Sequence, residues 1–486
     1  MAKKKTCVIV GAGAGGLGCG AILAKNEVKP IIFERGRIIG GAARTLDVDG
    51  YSLDEGAHFL VDIPGTTAHR DTIGQILGIK TEVAHMKGPP VCVIRQGEEI
   101  AFTKLWPLSA DYDKVTLKKV FKYLSDADIA QIESFAGVMM EDLNNTIASV
   151  NPQSFDDLIL KLPYVPIQEW VLQRTKSKNV LTWLLDLGSI VILVPPESVA
   201  TCSTYSVLAL VMGLTTGMFS FVYPVHPKYG GLGALLEPYA DYIREHGGEI
   251  HTNTAVKKIK VEGGKAKGVI VDRDGKEEFV AADAVVCNVP PQLAYRTGIL
   301  DLDSFPNAYK EDFLQKVKTI EEGAKRYEVQ TLNVHVALKK KLTDSDSCHL
   351  FIDNEGHSRA GMQIYTNYGT NSAPAGKQLL YLYAFLYKAP RDFAVAEKHL
   401  TGIILPALRA WLKDFDKNVD WIMTSFSPVP YAQLNQQMFS SSEKFDVKTG
   451  AKNLYFAGMY AGLVGADGAM VIGVRAAEQI LDRKIL

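Results

Sequence analysis

The chain opens on a short apolar run, residues 7–10, which gives way to Gly11, Gly13 and Gly16 and then to a helical stretch ending at about Asn26. A second apolar run, 30–33, stops at Glu34. The pattern predicts strand, glycine loop, helix, strand, acid. Beyond Arg44, alternation about a turn at 49–50 predicts a short strand pair leading into a bend at 56–58. Residues 91–102 alternate on either side of Gln96-Gly97 and predict a hairpin. From 109 to 183 the period becomes helical, with Ser125 as an N-cap before Ile129, Ile132, Phe135 and Met139. The stretch 198–226 contains no Asp, Glu, Lys or Arg. Its centre, 207–223, is long enough to be weighed as a membrane span. Gly213, Gly217, several hydroxyls and an uncharged N-terminal flank instead predict a buried helix lining an apolar cavity. An amphipathic helix at 235–246 leads into a strand, then a hairpin about Asp274-Gly275 that returns to Asn288. Strands follow at 332–338 and 379–386, and the chain ends with a strand at 453–458 and a helix opening at 468–470. Apolar positions 470, 474, 477 and 481 give that helix its period.

The first forty residues carry chemistry as well as shape. Gly11 permits a tight turn off the strand, Gly13 lets backbone approach a diphosphate, and Gly16 lets helix and strand pack closely. The N–H groups and positive end of the helix favour an anionic ligand there. Glu34, 21 residues after Gly13, stands where a carboxylate accepts both hydroxyls of an adenosine ribose and repels a 2′-phosphate. A purely structural βαβ unit is the competing reading, and the loop alone does not separate NAD from FAD.

Composition narrows the class. A length of 486 residues predicts two to four domains with sizeable cores. Hydrophobic residues at 47% and charged residues at 22% are those of a water-soluble globular chain, and a net charge of −1 points away from nucleic acid. Met-Ala-Lys-Lys-Lys before the first strand is not a secretory signal core. Six cysteines (7, 19, 92, 202, 287 and 348) lack metal-ligand spacing, and no metal site is expected. Buried reduced thiols suit a cytoplasmic protein.

The segment after Glu34, ending in Gly40-Gly41, resembles the ExxxxxGG continuation of flavoproteins in the amine oxidase and phytoene desaturase superfamily, closest to the phytoene-desaturase-like branch. Asp54-Glu-Gly56-Ala57-His58 is similar to that superfamily's Asp-x-Gly-x-His bend beside the flavin ring. Residues 227–231, Pro-Lys-Tyr-Gly-Gly, resemble its Pro-x-Gly-Gly segment with one residue added, and 371–377 resembles a Ser-x-Ala-Pro-x-Gly-Lys turn of the desaturases. The two later passes, 247–288 and 453–470, follow in the family's order. The resemblance implies an α/β fold: a Rossmann-like FAD-binding domain with a discontinuous, mixed α+β substrate domain. The FAD-binding domain would comprise 1–90, 225–300 and 446–486, and the substrate domain 91–224 and 301–445. It implies FAD as cofactor, held by Gly11, Gly13, Gly15, Gly16, Glu34, Arg35, Gly41, Ala42, Arg44, Gly56, Ala57, His58 and Val256. From the last pass it adds Gly458, Met459, Asp467, Gly468, Ala469 and Met470.

Three positions depart from the family pattern. Ala42 follows the glycine pair where Arg or Lys is usual, with Arg44 two residues on as a substitute for the diphosphate contact. Met459 stands where an acid is usual. Asp467 stands where a proline or small residue is usual, and reads either as the N-cap of the last helix or as a proton-transfer group. His58, His226 and Asp467 are the candidate catalytic side chains, against a bland reading of both histidines as hydrogen-bonded loop residues. The implied function is an FAD-dependent oxidoreductase acting on C–C bonds of an apolar, isoprenoid-like small molecule. The electron acceptor is left open among a quinone, a protein carrier and oxygen, and peripheral membrane contact is compatible with such a substrate. The alternatives are a flavin-dependent polyene isomerase, an amine oxidase, and a non-catalytic prenyl-protein carrier. A visible flavin spectrum separates the carrier from the others, and substrate-driven flavin reduction separates the isomerase.

Overall fold

The computed structural model describes residues 4–57, 60–62, 68–151, 161–192, 196–215, 220–326, 329–354, 356–387, 392–427, 444–463 and 465–486. His58 lies outside them.

A parallel five-stranded sheet carries the N-terminal motif. Its spatial order is Glu249–His251, Lys29–Phe33, Thr6–Val10, Ala284–Cys287, Leu454–Phe456. The strand Thr6–Val10 is central and solvent-free on both faces, which is why it reads as an unbroken apolar run. Helix Ala14–Lys25 is buried along nearly its whole length and packs against helices Gly233–Glu245 and Gly465–Leu481. Glycines make that packing close. A Cβ on Gly473 would lie 2.0 Å from the Gly15 carbonyl oxygen, and one on Gly18 would lie 3.0 Å from that of Met470.

A seven-stranded sheet forms the second layer. Its order is Val419–Phe426, Val329–Leu338, Gln378–Tyr387, Ser358–Gln363, Cys348–Ile352, Val91–Arg95, Glu98–Ala101. All neighbours are antiparallel except Cys348–Ile352 with Val91–Arg95. One face packs Leu332, Val334, Leu380 and Leu382 against Ile404, Leu408 and Leu412. At the other face, Val91, Val93 and Leu350 lie under a helical layer that includes Asp126–Val150 and Lys178–Ile192. The alternation in 329–338 is therefore two-sided: Leu332, Val334 and Val336 on one face, Thr331, Asn333 and His335 on the other.

Local signals match the structure where they are self-contained. Gln96 and Gly97 take φ of 50° and 82°, and Asp274 and Gly275 take 53° and 81°, the left-handed pairs that a two-residue hairpin turn requires. Ser125 caps its helix through a reciprocal box with Asp128. All six cysteines are buried thiols.

The apolar stretch 207–223 is not one helix. Helix Thr204–Thr215 ends inside it, and Ser220–Val225 is a strand between Leu60–Asp62 and Glu82–His85. That strand also straddles the expected boundary at 224/225. Among the described residues, no helix is long and apolar enough to cross a membrane. The final helix begins at Gly465, three residues before the expected start, which puts Asp467 within its first turn instead of at the cap.

Candidate functional site

The glycine loop leaves the central strand at Gly11, whose φ of +98° only glycine adopts without strain. The Gly11 N–H donates to the Phe33 carbonyl at 2.8 Å and ties the loop to the neighbouring strand. Gly13 is the extended N-cap of helix Ala14–Lys25. A Cβ on Gly16 would sit 2.2 Å from the Gly11 carbonyl oxygen, so this residue is the close helix–strand contact. A second glycine pair meets the loop: the Gly40 N–H donates to the Ala12 carbonyl at 2.8 Å, and Gly40 and Gly41 take φ of 109° and 59°.

Glu34 stands at the end of strand Lys29–Phe33. Its Oε2 accepts the Ala12 N–H at 2.9 Å and its Oε1 the Gly36 N–H at 2.7 Å. A carboxylate has about four acceptor sites, so two stay available for ligand hydroxyls.

These pieces border one elongated groove of about 400 Å³. Val256, Glu34, Gly11, Gly13, Gly15, Gly458, Met459 and Ala469 all line it. Arg35, Gly41, Ala42, Arg44 and Ala57 complete the expected residues on its wall. Four others support it from behind. Gly16 lies beneath the loop, and Gly56, with φ of +139°, packs on Ala42, since a Cβ there would come within 2.3 Å of the Ala42 carbonyl oxygen. Gly468 is held against Leu463, and Met470 is fully buried.

Several wall residues are absent from the sequence-based set. Asn288 is the most informative: its N–H donates to the Val10 carbonyl at 3.0 Å, and its side chain covers the glycine loop. A Cβ on Gly15 would fall 2.6 Å from Asn288 Oδ1, and one on Gly13 2.9 Å from Nδ2. Lys257 and Tyr460 also line the groove, Lys257 paired to Asp272 at 3.0 Å. A polar residue ending a buried strand was the available signal for Asn288.

The charged groups have defined partners. Arg44 donates through Nε to Glu55 Oε2 at 2.7 Å, with Glu55 almost wholly buried, so its charge is shared between that carboxylate and the groove. Asp467 does not line the groove. Its Oδ2 faces Nη1 of Arg70 at 3.0 Å, and Arg70, fully buried, also pairs with Asp62 at 2.6 Å and Asp71 at 3.4 Å. Burial pushes the Asp467 carboxyl up to about 6 against the pull of Arg70. His226 is likewise not on the groove wall. Its Nδ1 accepts the Lys228 N–H at 3.1 Å and its ring stacks on Tyr229, with burial and Lys228 holding its pKa down. Neither Asp467 nor His226 is on the wall of this groove.

Asp54 anchors the bend at 56–57. Its Oδ1 accepts Thr45 Oγ1 at 2.5 Å and the Leu232 N–H at 2.9 Å, while Tyr223 donates to its Oδ2. Burial raises its carboxyl to about 6. The Asp54 carbonyl takes the Nε2 of His335 at 2.9 Å, a ring that burial keeps neutral by lowering its pKa to about 4.

A groove with a glycine cradle, a left-handed glycine pair and a carboxylate with open acceptor sites fits FAD. The family model described as flavin containing amine oxidoreductase matches residues 14–481. Among curated relatives, a 4,4′-diapophytoene desaturase of Methylomonas sp is 24% identical over 58% of this chain. A prolycopene isomerase of Daucus carota is 24% identical over 77%, and a phytoene desaturase of Cercospora nicotianae 26% identical over 60%. The matches span 54%, 60% and 46% of those three relatives' lengths. Among solved structures, an oxidoreductase from Methanosarcina mazei superposes with a TM-score of 0.66 at 20% identity, covering 98% of this chain and all of its own. A putrescine oxidase superposes at 0.62 and 16% identity, covering 99% of this chain and 100% of its own, a likeness of fold. The chain belongs to the flavin-containing amine oxidoreductase family.

Proposed function

We propose that this protein moves hydrogen to or from a carbon–carbon bond of an apolar, isoprenoid-like substrate. The observation that supports this reading is the set of relatives: desaturases and isomerases of carotenoid precursors, matched over more than half of the chain. Bound flavin supplies the hydride acceptor or donor. The protein's own part is to orient the cofactor, keep water out and set the local charge. In this reading Glu34 takes the ribose hydroxyls, and the N–H groups of Gly13–Gly15 with the start of helix Ala14–Lys25 take the diphosphate. Arg44 adds a positive charge beside it, and the start of helix Gly465–Leu481 faces the far end of the cofactor. The flavin unit is assembled from 1–90, 225–300 and 446–486, which together supply every strand of the parallel sheet.

The test is anaerobic titration of the purified holoprotein with acyclic polyenes. Bleaching of the flavin bands by substrate is the expected result. Turnover that needs reduced flavin but leaves it reduced would favour the isomerase, a reading that the prolycopene isomerases among the relatives support. A colourless protein that cannot be reconstituted with FAD would overturn both.

In this scheme Asp467 is a tuning group. Ionised, it opposes the positive start of its own helix and disfavours electron-rich reduced flavin. With its carboxyl at about 6, that opposition is present above this pH and lost below it. Asp467→Asn should therefore keep FAD and raise the flavin midpoint potential at pH 8, with little difference from wild type at pH 5. Arg70, Asp62 and Asp71 face the same carboxylate and stay in place. An unchanged potential at pH 8 would remove the assignment.

A further inference from the structure

The face of the seven-stranded sheet opposite Ile404, Leu408 and Leu412 changes character across its width. Under the helical layer it is apolar, through Val91, Val93 and Leu350. Two strands further it becomes polar while remaining buried. The strand register sets His335 beside Tyr381 and Tyr381 beside Gln363. One row over, Asn333 stands beside Tyr383, which lies across Gly361, where a Cβ would come within 2.1 Å of its ring.

Most of this strip is hydrogen-bonded. Tyr381 donates to Asn333 Oδ1 at 3.2 Å and accepts the Gly56 N–H at 3.3 Å, which joins it to the bend whose Ala57 lines the cofactor groove. Gln363 differs. It is fully buried, and among the described residues neither its amide oxygen nor its amide nitrogen has a partner of ordinary geometry. The Cys348 thiol is a weak neighbour. The same thiol lies 3.7 Å from the Tyr383 hydroxyl, and Tyr368, whose own buried hydroxyl has no partner among the described residues, is close to it as well. A buried primary amide left unpaired costs stability, and replacing it with an apolar side chain of similar shape is ordinarily neutral or favourable. Such a residue is retained where a ligand completes its bonds. A hydrocarbon could not do so.

We propose that Gln363, with Tyr368 and Tyr383 beside it, binds a hydroxyl or carbonyl oxygen on the substrate, so that the substrate is an oxygenated apolar molecule and not a pure hydrocarbon. The amide matches either form, since it offers a donor to a carbonyl and an acceptor to a hydroxyl. A site built to hydrogen-bond one substrate group rejects the analogue lacking it, because its own polar atoms are then left unpaired. This assignment rests on the isoprenoid reading above and deepens it.

The test compares two probes by their perturbation of the flavin spectrum in the holoprotein. One is geranylgeraniol, and the other is the same chain ending in methyl in place of hydroxymethyl. Wild type should bind the alcohol at least about tenfold more tightly. Gln363→Met, which keeps the volume and removes the amide, should weaken the alcohol by about tenfold or more and leave the hydrocarbon unchanged or tighter. Its thermal midpoint should be unchanged or higher, because an unpaired buried amide has been removed. Equal affinity of wild type for the two probes overturns the proposal even if the variant fails to retain FAD. An equal loss of both probes, no loss of either, or a lowered thermal midpoint in Gln363→Met also overturns it. If neither probe perturbs the wild-type flavin, the isoprenoid reading itself fails and the assignment falls with it.

Discussion

Gly473→Ala should destabilise the protein by about 1–3 kcal/mol or more, the range for overpacking a close contact, and should purify with less than one FAD per chain. The added methyl would lie 2.0 Å from the Gly15 carbonyl oxygen, 2.9 Å from its carbon and 3.0 Å from the Cys19 nitrogen. All three are backbone atoms of helix Ala14–Lys25, so no rotamer change relieves the contact and the two helices must separate. The N-terminal ends of both helices line the cofactor groove, through Gly13 to Gly15 on one and Gly465, Ala466 and Ala469 on the other. Separation therefore couples a packing defect to the binding site. Chemical denaturation with and without added FAD measures both effects. Gly137→Ala is the matched control. It lies exposed inside helix Asp126–Val150 with nothing within 4 Å of the new methyl, and should stabilise by about 0.5–1 kcal/mol through helix propensity alone. If Gly473→Ala were as stable as wild type, the close approach of the two helices would not be a constraint.

Glu34→Ala should lower FAD affinity by about 1.5–3 kcal/mol, the scale of hydrogen bonds to a charged group, or about ten- to hundredfold. Two of its acceptor sites are already used by the Ala12 and Gly36 N–H groups, so the carboxylate also holds the glycine loop and the turn at 35–36 in register. The substitution removes both the ligand contact and that brace. Glu34→Gln separates them: it keeps one oxygen for the brace, loses the charge, and should fall between wild type and alanine. FAD affinity measured by fluorescence or calorimetry decides. Unchanged affinity in the alanine variant would remove Glu34 from the cofactor site.

The parts of this site that are legible in the sequence are those built within one short stretch. Gly11, Gly13, Gly16 and Glu34 belong to a single strand–loop–helix–strand unit, where the chain has few ways to satisfy its own sterics and hydrogen bonds. The hairpin turns at 96–97 and 274–275 and the cap at Ser125 are local in the same sense. Asn288 is different. It reaches the glycine loop because Ala284–Cys287 pairs with Thr6–Val10 in a register that sets Cys287 beside Val10, a pairing across 277 residues that no local pattern encodes. The stretch 207–223 is helix up to Thr215 and strand from Ser220, because an apolar run buries equally well either way, and pairing with the strands at 60–62 and 82–85 decides its second half. Asp467 shows the limit at the scale of one side chain. Its place near the start of the last helix was readable, but successive helical residues turn by about 100°. Whether its carboxylate met the cofactor groove or Arg70 depended on how helix His69–Leu77 packs against helix Gly465–Leu481. The polar strip is similar. Alternation along 332–338 announced two faces, but only the register with Gln378–Tyr387 and Ser358–Gln363 gathered Asn333, Tyr381 and Gln363 beneath the bend at Gly56. Chain-local sterics determine the first kind of feature. The second kind is determined by non-local pairing and packing, where the hydrophobic pattern states that a face is buried and leaves open what buries it.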